Sequence, residues 1–355
     1  YYASRGLGDV YKRQLYAMLK RNTFLNIKFE NMLDTLGEMS RTDLYSYLKE
    51  WEQLTPLPFY SIGEPELTKV VNKGGEEFFV LKVLVSNNSD YDGIIQMNVL
   101  QNGWWYQPME DPRARKKVEI AAHTSKEFVS VWEEQIRDVE INTMVSGNLP
   151  YMIRQSIGNV KQERNKIVKD TIYTLPESSL EMPGEVIVDN EDSTLFVLST
   201  PAVVGLLPKW LDKVEDTSFK YSGISWWRAP LQWTATTNAK YYGKYIRSAY
   251  VIKSGDGSQT ATWKIPVPEA GQYELYYHVF KDDELRWNDR LQGEYHFRVA
   301  YDSEMEDAYI NLRKANEGWE QLGTYYFSAD TVRVVLTDEC KLRSVTADAV
   351  KIVKR

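Results

Sequence analysis

Pro268-Glu269-Ala270-Gly271-Gln272-Tyr273-Glu274-Leu275-Tyr276-Tyr277-His278-Val279-Phe280 is the stretch that decides the fold class. Tyr273, Leu275, Tyr277 and Val279 alternate with Glu274, Tyr276, His278 and Phe280. A period of two places the first set on one face of a strand and the second on the other. The proline and glycine ahead of the run spell a tight turn, with Gly271 free to take positive φ. The same alternation continues on both sides. Trp263 and Ile265 precede the turn; Tyr295, Phe297, Val299 and Tyr301 come after it, then Ala308, Ile310 and Leu312. Val332, Val334 and Leu336 come next, and Val350 and Ile352 close the chain. Helical periodicity is almost absent from 185 to 355, so a jelly-roll-like antiparallel β-sandwich is expected there.

Upstream the signal is similar but more aliphatic. Phe79, Leu81, Val83 and Val85 alternate, and the intervening Val80 and Leu84 predict a strand buried on both faces. A turn cluster at 87–93 separates this run from Ile95, Met97 and Val99, and Asn102-Gly103 turns the chain again. Val118 and Ile120, then Phe128, Ser130 and Trp132, then Val139, Ile141, Thr143 and Val145 give further strands, the last set being the final clear one. This spacing predicts a small Ig-like antiparallel sandwich over 58–170. The charge-dense run Lys161 to Asp170 and the bracketing Pro176 and Pro183-Gly184 then predict a linker at 171–184 and a second domain over 185–355. Before Pro58 the pattern is helical. Leu25, Phe29, Met32, Leu33 and Leu36 form one apolar face that Gly37 is expected to end, and Ser40 or Thr42 can cap a second helix bearing Leu44, Tyr47, Leu48 and Trp51. Helices of this size cannot form a core alone, so 15–57 reads as the helical remnant of an upstream domain. The expected fold is mostly β: two antiparallel β-sandwiches, Ig-like then jelly-roll-like, preceded by a short helical segment.

Composition narrows the function classes. The chain has 355 residues, 43% hydrophobic and 26% charged, enough to bury a core. A formal charge of −7 disfavours nucleic acid, whose phosphates need a basic stripe. No apolar run approaches the roughly 18 to 20 residues that span a bilayer. The single cysteine, Cys340, excludes an internal disulfide, and none of the three histidines has a second one four residues away, as a helical zinc pair requires. No cofactor is expected. The excess is aromatic, with 24 Tyr and 11 Trp.

Three resemblances refine this reading. The opening run Tyr1 to Gln14 resembles the translated sequencing-adapter text found at the ends of metagenomic reading frames, so 1–14 is expected to be an artefact outside the fold. Asp43 to Ile62, DLYSYLKEWEQLTPLPFYSI, continued by a sandwich, resembles the non-catalytic tail of an M1-type aminopeptidase. That family's chemistry lies in a His-Glu-x-x-His helix that this chain lacks, so nothing catalytic carries over. The third resemblance rests on an ordered set: Val188-Asp189-Asn190-Glu191-Asp192, Trp226-Trp227, Tyr242-Gly243-x-Tyr245, Ala261-Thr262-Trp263, Pro268 to Tyr276, Trp319 with Leu322 to Phe327, and Ala347-Asp348-Ala349-Val350. This succession is similar to the golvesin or xanthan-lyase C-terminal domain, a carbohydrate-binding-like sandwich, over about 185–355. The stretch from Val197 to Tyr221 is longer than that pattern suggests, which leaves the surface there open.

The candidate site residues are few. Trp226, Trp227, Tyr242 and Tyr245 form either a sugar platform, since flat rings pack on the C–H faces of pyranoses, or part of the core. Asp189, Glu191 and Asp192 form either a weak calcium site or a solvated acidic turn. His278 and His296 read as packed among aromatics rather than catalytic, and Asp348 as an acceptor of backbone hydrogen bonds beside the last strand. No base and charge neutraliser stand together as a lyase requires. The expected function is a non-catalytic C-terminal fragment of a larger bacterial envelope or secreted protein, binding a polysaccharide or cell-surface glycan or serving in adhesion. The alternative is the accessory region of an M1-like zinc aminopeptidase whose catalytic domain lies upstream, with the sandwiches purely structural. By resemblance, the location implied is outside the cytoplasm: periplasmic, surface or secreted.

Overall fold

The structure, a computed structural model, describes residues 16–21, 28–40, 57–101, 111–157, 160–164, 168–177, 180, 184–199, 220–224, 229–281, 293–302, 304–328 and 330–355. Tyr1–Leu57 and Pro58–Arg355 are two separate units. In the first, helix α1 spans Phe29–Ser40 and buries Leu33. It does not stop at Gly37; glycine in a helix interior costs about 1 kcal/mol and does not break the ladder as proline does. Leu25 and the expected second helix, Leu44 to Trp51, lie outside the described residues.

The second unit is built of strands. β1 (Tyr60–Ile62), β2 (Glu66–Val71), β3 (Glu77–Asn87), β6 (Thr124–Trp132), β9 (Val160–Arg164) and β10 (Thr171–Pro176) form a six-stranded sheet in the order β10-β6-β3-β2-β9, with β1 also paired to β3. β4 (Gly93–Gln101), β5 (Arg115–Ile120), β7 (Ile136–Asn142) and β8 (Met152–Ser156) form a four-stranded sheet in the order β5-β4-β7-β8. Leu81, Val83 and Val85 of the first sheet and Ile95, Met97, Val99, Val139 and Ile141 of the second share one buried core. β3 is buried on both sides, as its continuous apolar run demands: Val80 joins Val70 and Val129 in a small cluster on the opposite face.

Several boundaries differ from the sequence reading. β7 ends at Asn142, because Met144 takes a φ of 54° and its N–H turns back to Asn142 Oδ1 at 2.8 Å. Thr143 and Val145 therefore leave the strand. β8, β9 and β10 carry the chain further than expected. β9 occupies the start of the charge-dense run, and β10 takes up the start of the stretch expected as a linker. Both are sheet edges with mostly exposed side chains, so neither shows the apolar alternation that marks a half-buried strand. β9 also pairs parallel to β2, an exception in an otherwise antiparallel sheet.

The C-terminal strands make a second core. β11 (Glu185–Val188), β16 (Gly271–Val279), β19 (Gly318–Phe327) and β22 (Val350–Lys354) form a four-stranded sheet in the order β11-β22-β16-β19. β12 (Phe196–Leu198), β15 (Thr260–Val267), β17 (Glu294–Tyr301), β18 (Glu304–Asn311) and β20 (Asp330–Thr337) form a five-stranded sheet in the order β12-β15-β20-β17-β18. A three-stranded sheet, β13 (Thr234–Thr237), β14 (Ser248–Lys253) and β21 (Ser344–Ala347), lies beside them. Tyr273, Leu275, Tyr277 and Val279 from one sheet pack with Trp263, Phe297, Val299 and Val334 from the other. The turn ahead of β16 needs no left-handed glycine, since the positive-φ glycines among the described residues do not include Gly271.

The sandwiches are joined by backbone. Leu149 and Ile246 form a parallel bridge. Leu149 N–H donates to Tyr245 O at 3.1 Å, and Arg247 N–H donates to Leu149 O at 2.7 Å. Buried Asn148 accepts from Tyr60 N–H at 2.9 Å and donates to Tyr60 O at 2.8 Å, with a longer contact of 3.4 Å to Tyr245 O.

Candidate functional site

β16 turns Glu274, Tyr276 and His278 away from the core because Tyr273, Leu275, Tyr277 and Val279 occupy its inner phase. Register then sets their neighbours. His278 faces Trp319 on β19, and Tyr276 lies between Gln321 on β19 and Lys351 on β22. At the far end Gln272 faces Tyr326, whose ring is 62% exposed. The outer face of this sheet therefore carries a line of aromatic side chains.

Tyr242 completes one end of that line. It is held in the turn after β13, where Asn238 Oδ1 accepts from Lys240 N–H at 3.0 Å and Asn238 O from Tyr241 N–H at 3.1 Å. Gly243 is required in this turn, since a Cβ there would stand 1.9 Å from Ile246 O. The Tyr242 ring lies 5.0 Å from Trp319 and 5.8 Å from His278, and His278 meets Trp319 edge-on at 5.1 Å and 79°. Each distance falls in the range of favourable aromatic pairs.

Beneath the rings sits Asp348, fully buried. Its Oδ2 is 2.8 Å from His278 Nδ1, and both its oxygens accept from Tyr242 N–H at 3.2 Å. Burial pushes the Asp348 carboxyl up, and the charges of His278 and Arg247 partly offset this. Burial pulls the Arg247 guanidinium down to about 10, with Asp348 opposing the shift. Asp189 is raised well above the usual carboxylate range, first by burial and then by the charge of Asp348. The site thus rests on a buried polar layer whose members fix one another and, through Asp348, the His278 ring.

The outer-face charges are paired. Lys351 Nζ lies 4.8 Å from the Trp319 ring centre and 5.4 Å from that of Tyr276, and 2.8 Å from Glu185 Oε1. Glu274 accepts from Tyr276 OH at 2.5 Å and from Arg355 Nε at 2.9 Å.

The sequence-derived platform is divided by the structure. Trp226 and Trp227 lie outside the described residues. Tyr242 joins the cluster, whereas Tyr245 stands at the junction with the first sandwich, its ring 5.4 Å from Phe59. Asp189, Glu191 and Asp192, the calcium candidates, each have partners within the protein. Asp192 Oδ1 accepts from Thr194 N–H, Thr194 Oγ1 and Leu195 N–H within its own turn. Glu191 is engaged by Lys220 Nζ at 2.5 Å, by Tyr221 OH at 3.0 Å and by Ser248 Oγ. Asp189 is buried, and its side chain accepts from Asn190 N–H at 2.7 Å. Among the described residues, no group of three or more His, Cys, Asp or Glu could hold a metal ion, and no helix is long and apolar enough to cross a membrane. His278 is packed among aromatics as its sequence context suggests, but on the outer face of the sheet. Its place there was readable from the phase of β16; Trp319 joins it through the pairing of β19.

No curated protein matches the chain. Two structures of a Bacteroides uniformis β-glucuronidase align at 10% and 11% identity over 89% of this chain, each with a TM-score of 0.22. The chain spans about a third of their length, 32% in each case. The structure of Sulfolobus Turreted Icosahedral Virus aligns at 10% identity over 84% of this chain and 93% of its own, with a TM-score of 0.17. Likeness at these scores carries no argument. The family comparison is specific to one region: residues 226–354, which contain β13 to β22 and the whole Tyr242–His278–Trp319 cluster, match the Golvesin C-terminal domain.

Proposed function

We propose that the second sandwich is a carbohydrate-binding module and that its ligand lies along the outer face of β11-β22-β16-β19. The observation that carries this reading is the aromatic line on that face, from Tyr326 through Tyr276 to Trp319 and Tyr242. Rings on a rigid sheet present flat apolar area to the C–H face of a pyranose, and hydrogen-bonding groups at their edges serve the hydroxyls. The distance from the row of Gln272 to that of His278 is about 20 Å at ~3.3 Å per residue, room for several sugar units. The domain match at 226–354 supports a binding role. In this reading the chain is the non-catalytic C-terminal part of a larger secreted or envelope protein, its two sandwiches being separate domains. The test is binding of the full chain to a glycan panel, with Trp319→Ala as control. Retention that is lost in a folded Trp319→Ala supports the proposal. A chain that binds no glycan, or a variant that binds equally well, removes it.

A further inference from the structure

The outer face combines two features that bear on what it binds. The first is its charge balance. Lys351 is held by Glu185 and covered by the Tyr276 and Trp319 rings, leaving its side chain 11% exposed. Arg355 is paired with Glu274 at 2.9 Å, and at the rim Lys240 is paired with Glu317 at 3.2 Å. Of the described residues, these three cations stand at the face and each is already matched, so a carboxylate or sulfate on a ligand would have to break a pair to gain one. Breaking such a pair would leave its own acid uncompensated beside the ligand. The chain's formal charge of −7 opposes a polyanion further.

The second feature is His278. Its Nδ1 is committed to buried Asp348 at 2.8 Å, and its side chain is 13% exposed. Nε2 has no hydrogen-bond partner among the described residues. With Nδ1–H donating to Asp348, Nε2 presents a lone pair; with the ring protonated, it presents a donor. A sugar hydroxyl satisfies either form. The edge-on Trp319 ring beside it, at 5.1 Å, offers the stacking surface for the same sugar.

We infer that this face selects an uncharged polysaccharide, one sugar of which stacks on Trp319 while a hydroxyl bonds His278 Nε2, the imidazole being fixed by Asp348. The inference rests on the glycan-binding reading above. Its test uses the full chain and titration calorimetry at about 0.15 M salt, a concentration that screens long-range charge effects. The neutral probes are cellohexaose, mannohexaose and laminarin; the acidic ones are polygalacturonate, hyaluronan and dextran sulfate. The expected result is binding to a neutral probe at least tenfold tighter than to any acidic one. His278→Ala should weaken the neutral ligand about tenfold, the worth of one hydrogen bond in such a site. His278→Gln, whose amide can reach the position of Nε2, should recover part of the loss, and its unchanged melting temperature shows that the fold is intact. An acidic probe that binds as tightly as the neutral ones overturns the inference and leaves glycan binding standing. So does unchanged affinity in both His278 variants. Binding to no probe overturns both readings together.

Discussion

The two sandwiches fill their cores with different materials. The first is mainly aliphatic, with Leu67, Leu81, Val83, Val85, Ile95 and Ile141 around Tyr60, Phe128 and Trp132. The second buries Trp263, Tyr273, Tyr277, Tyr295, Phe297 and Phe327 together. The polar tips of those rings are treated differently as well. Trp263 Nε1 donates to Asp348 O at 3.2 Å, Tyr273 OH to Glu269 O at 2.8 Å and Tyr277 OH to Thr346 O, while Tyr295 OH accepts from Thr346 N–H at 3.0 Å. In the first sandwich Trp132 Nε1 donates to a side chain of its own strand, Ser130 Oγ at 2.8 Å, whereas Tyr60 OH is buried without a partner, and burial, helped by the charge of Asp92, pushes its pKa well above the usual phenol range. The second core meets its ring tips with backbone: Thr346 and Asp348 serve Trp263, Tyr277 and Tyr295, and Glu269 serves Tyr273. The same segment, 346–349, places Asp348 under the candidate site.

The severest challenge to this contrast is Trp263→Ala. Trp263 is fully buried in contact with Phe196 and Tyr277, and its loss should cost about 3–5 kcal/mol in urea unfolding. A loss below about 1 kcal/mol would mean that the aromatic core is not cooperative with the rest of its sandwich.

A matched pair comes next. Tyr277→Phe leaves Thr346 O without its donor and should cost about 1–3 kcal/mol. Tyr60→Phe removes an orphaned hydroxyl and should be neutral or stabilising. Equal costs at the two positions would show that hydroxyl satisfaction is not what separates the cores.

The third effect depends on pH. Asp189 has a folded-state pKa above its unfolded value of about 4, so the stability it contributes is present below pH 4 and is lost as pH rises through the folded value. Asp189→Asn should remove that decline and make the second sandwich more stable than wild type at pH 7. Thermal unfolding at pH 4 to 8 measures it, and parallel curves for the two proteins would contradict the assignment.

The smallest effect belongs to the first sandwich. His123, at a φ of 53°, stands in the open between Asp90 at 2.8 Å and Glu177 at 2.7 Å, and the hydrogen bonds to these two carboxylates raise its pKa. Its contribution is fully present below about pH 6.5 and fades as pH rises through the folded value. His123→Gln should therefore lower stability slightly at pH 6 and not at pH 8.5. A loss of the same size at both pH values would assign His123 a packing role instead.

Strands with one buried face were legible in the sequence because burial writes a period of two into them, as in Tyr273 to Val279, and β3, buried on both faces, was legible as a continuous apolar run. β9 and β10 were not, because an edge strand with exposed side chains carries no such period. The aromatic cluster was half legible. Tyr242 stood out by its motif, and the outward phase of β16 placed His278. Its partner Asp348 lies 70 residues away, and no local pattern links the two; only the pairing of β16 with β22 and the loop before it brings the carboxylate beneath the ring. The acidic run at 189–192 shows the converse. Asp189, Glu191 and Asp192 are adjacent in sequence, but the turn sends one inward, one to Ser248 and one back to its own backbone.

Leu149 and the 245–247 segment grip one another through two backbone hydrogen bonds, and Asn148 ties the same place to Tyr60. Asn148 and Tyr245 are 97 positions apart along the chain. The chain between them is no loop: β8 to β10 are built into the first sandwich and β11 to β13 into the second. The clamp therefore runs in parallel with the covalent connection between β10 and β11, and tension passing from one sandwich to the other is shared between the two. Single-molecule stretching should read its opening as one small discrete step, limited to the slack between 176 and 185, before either core has to unfold.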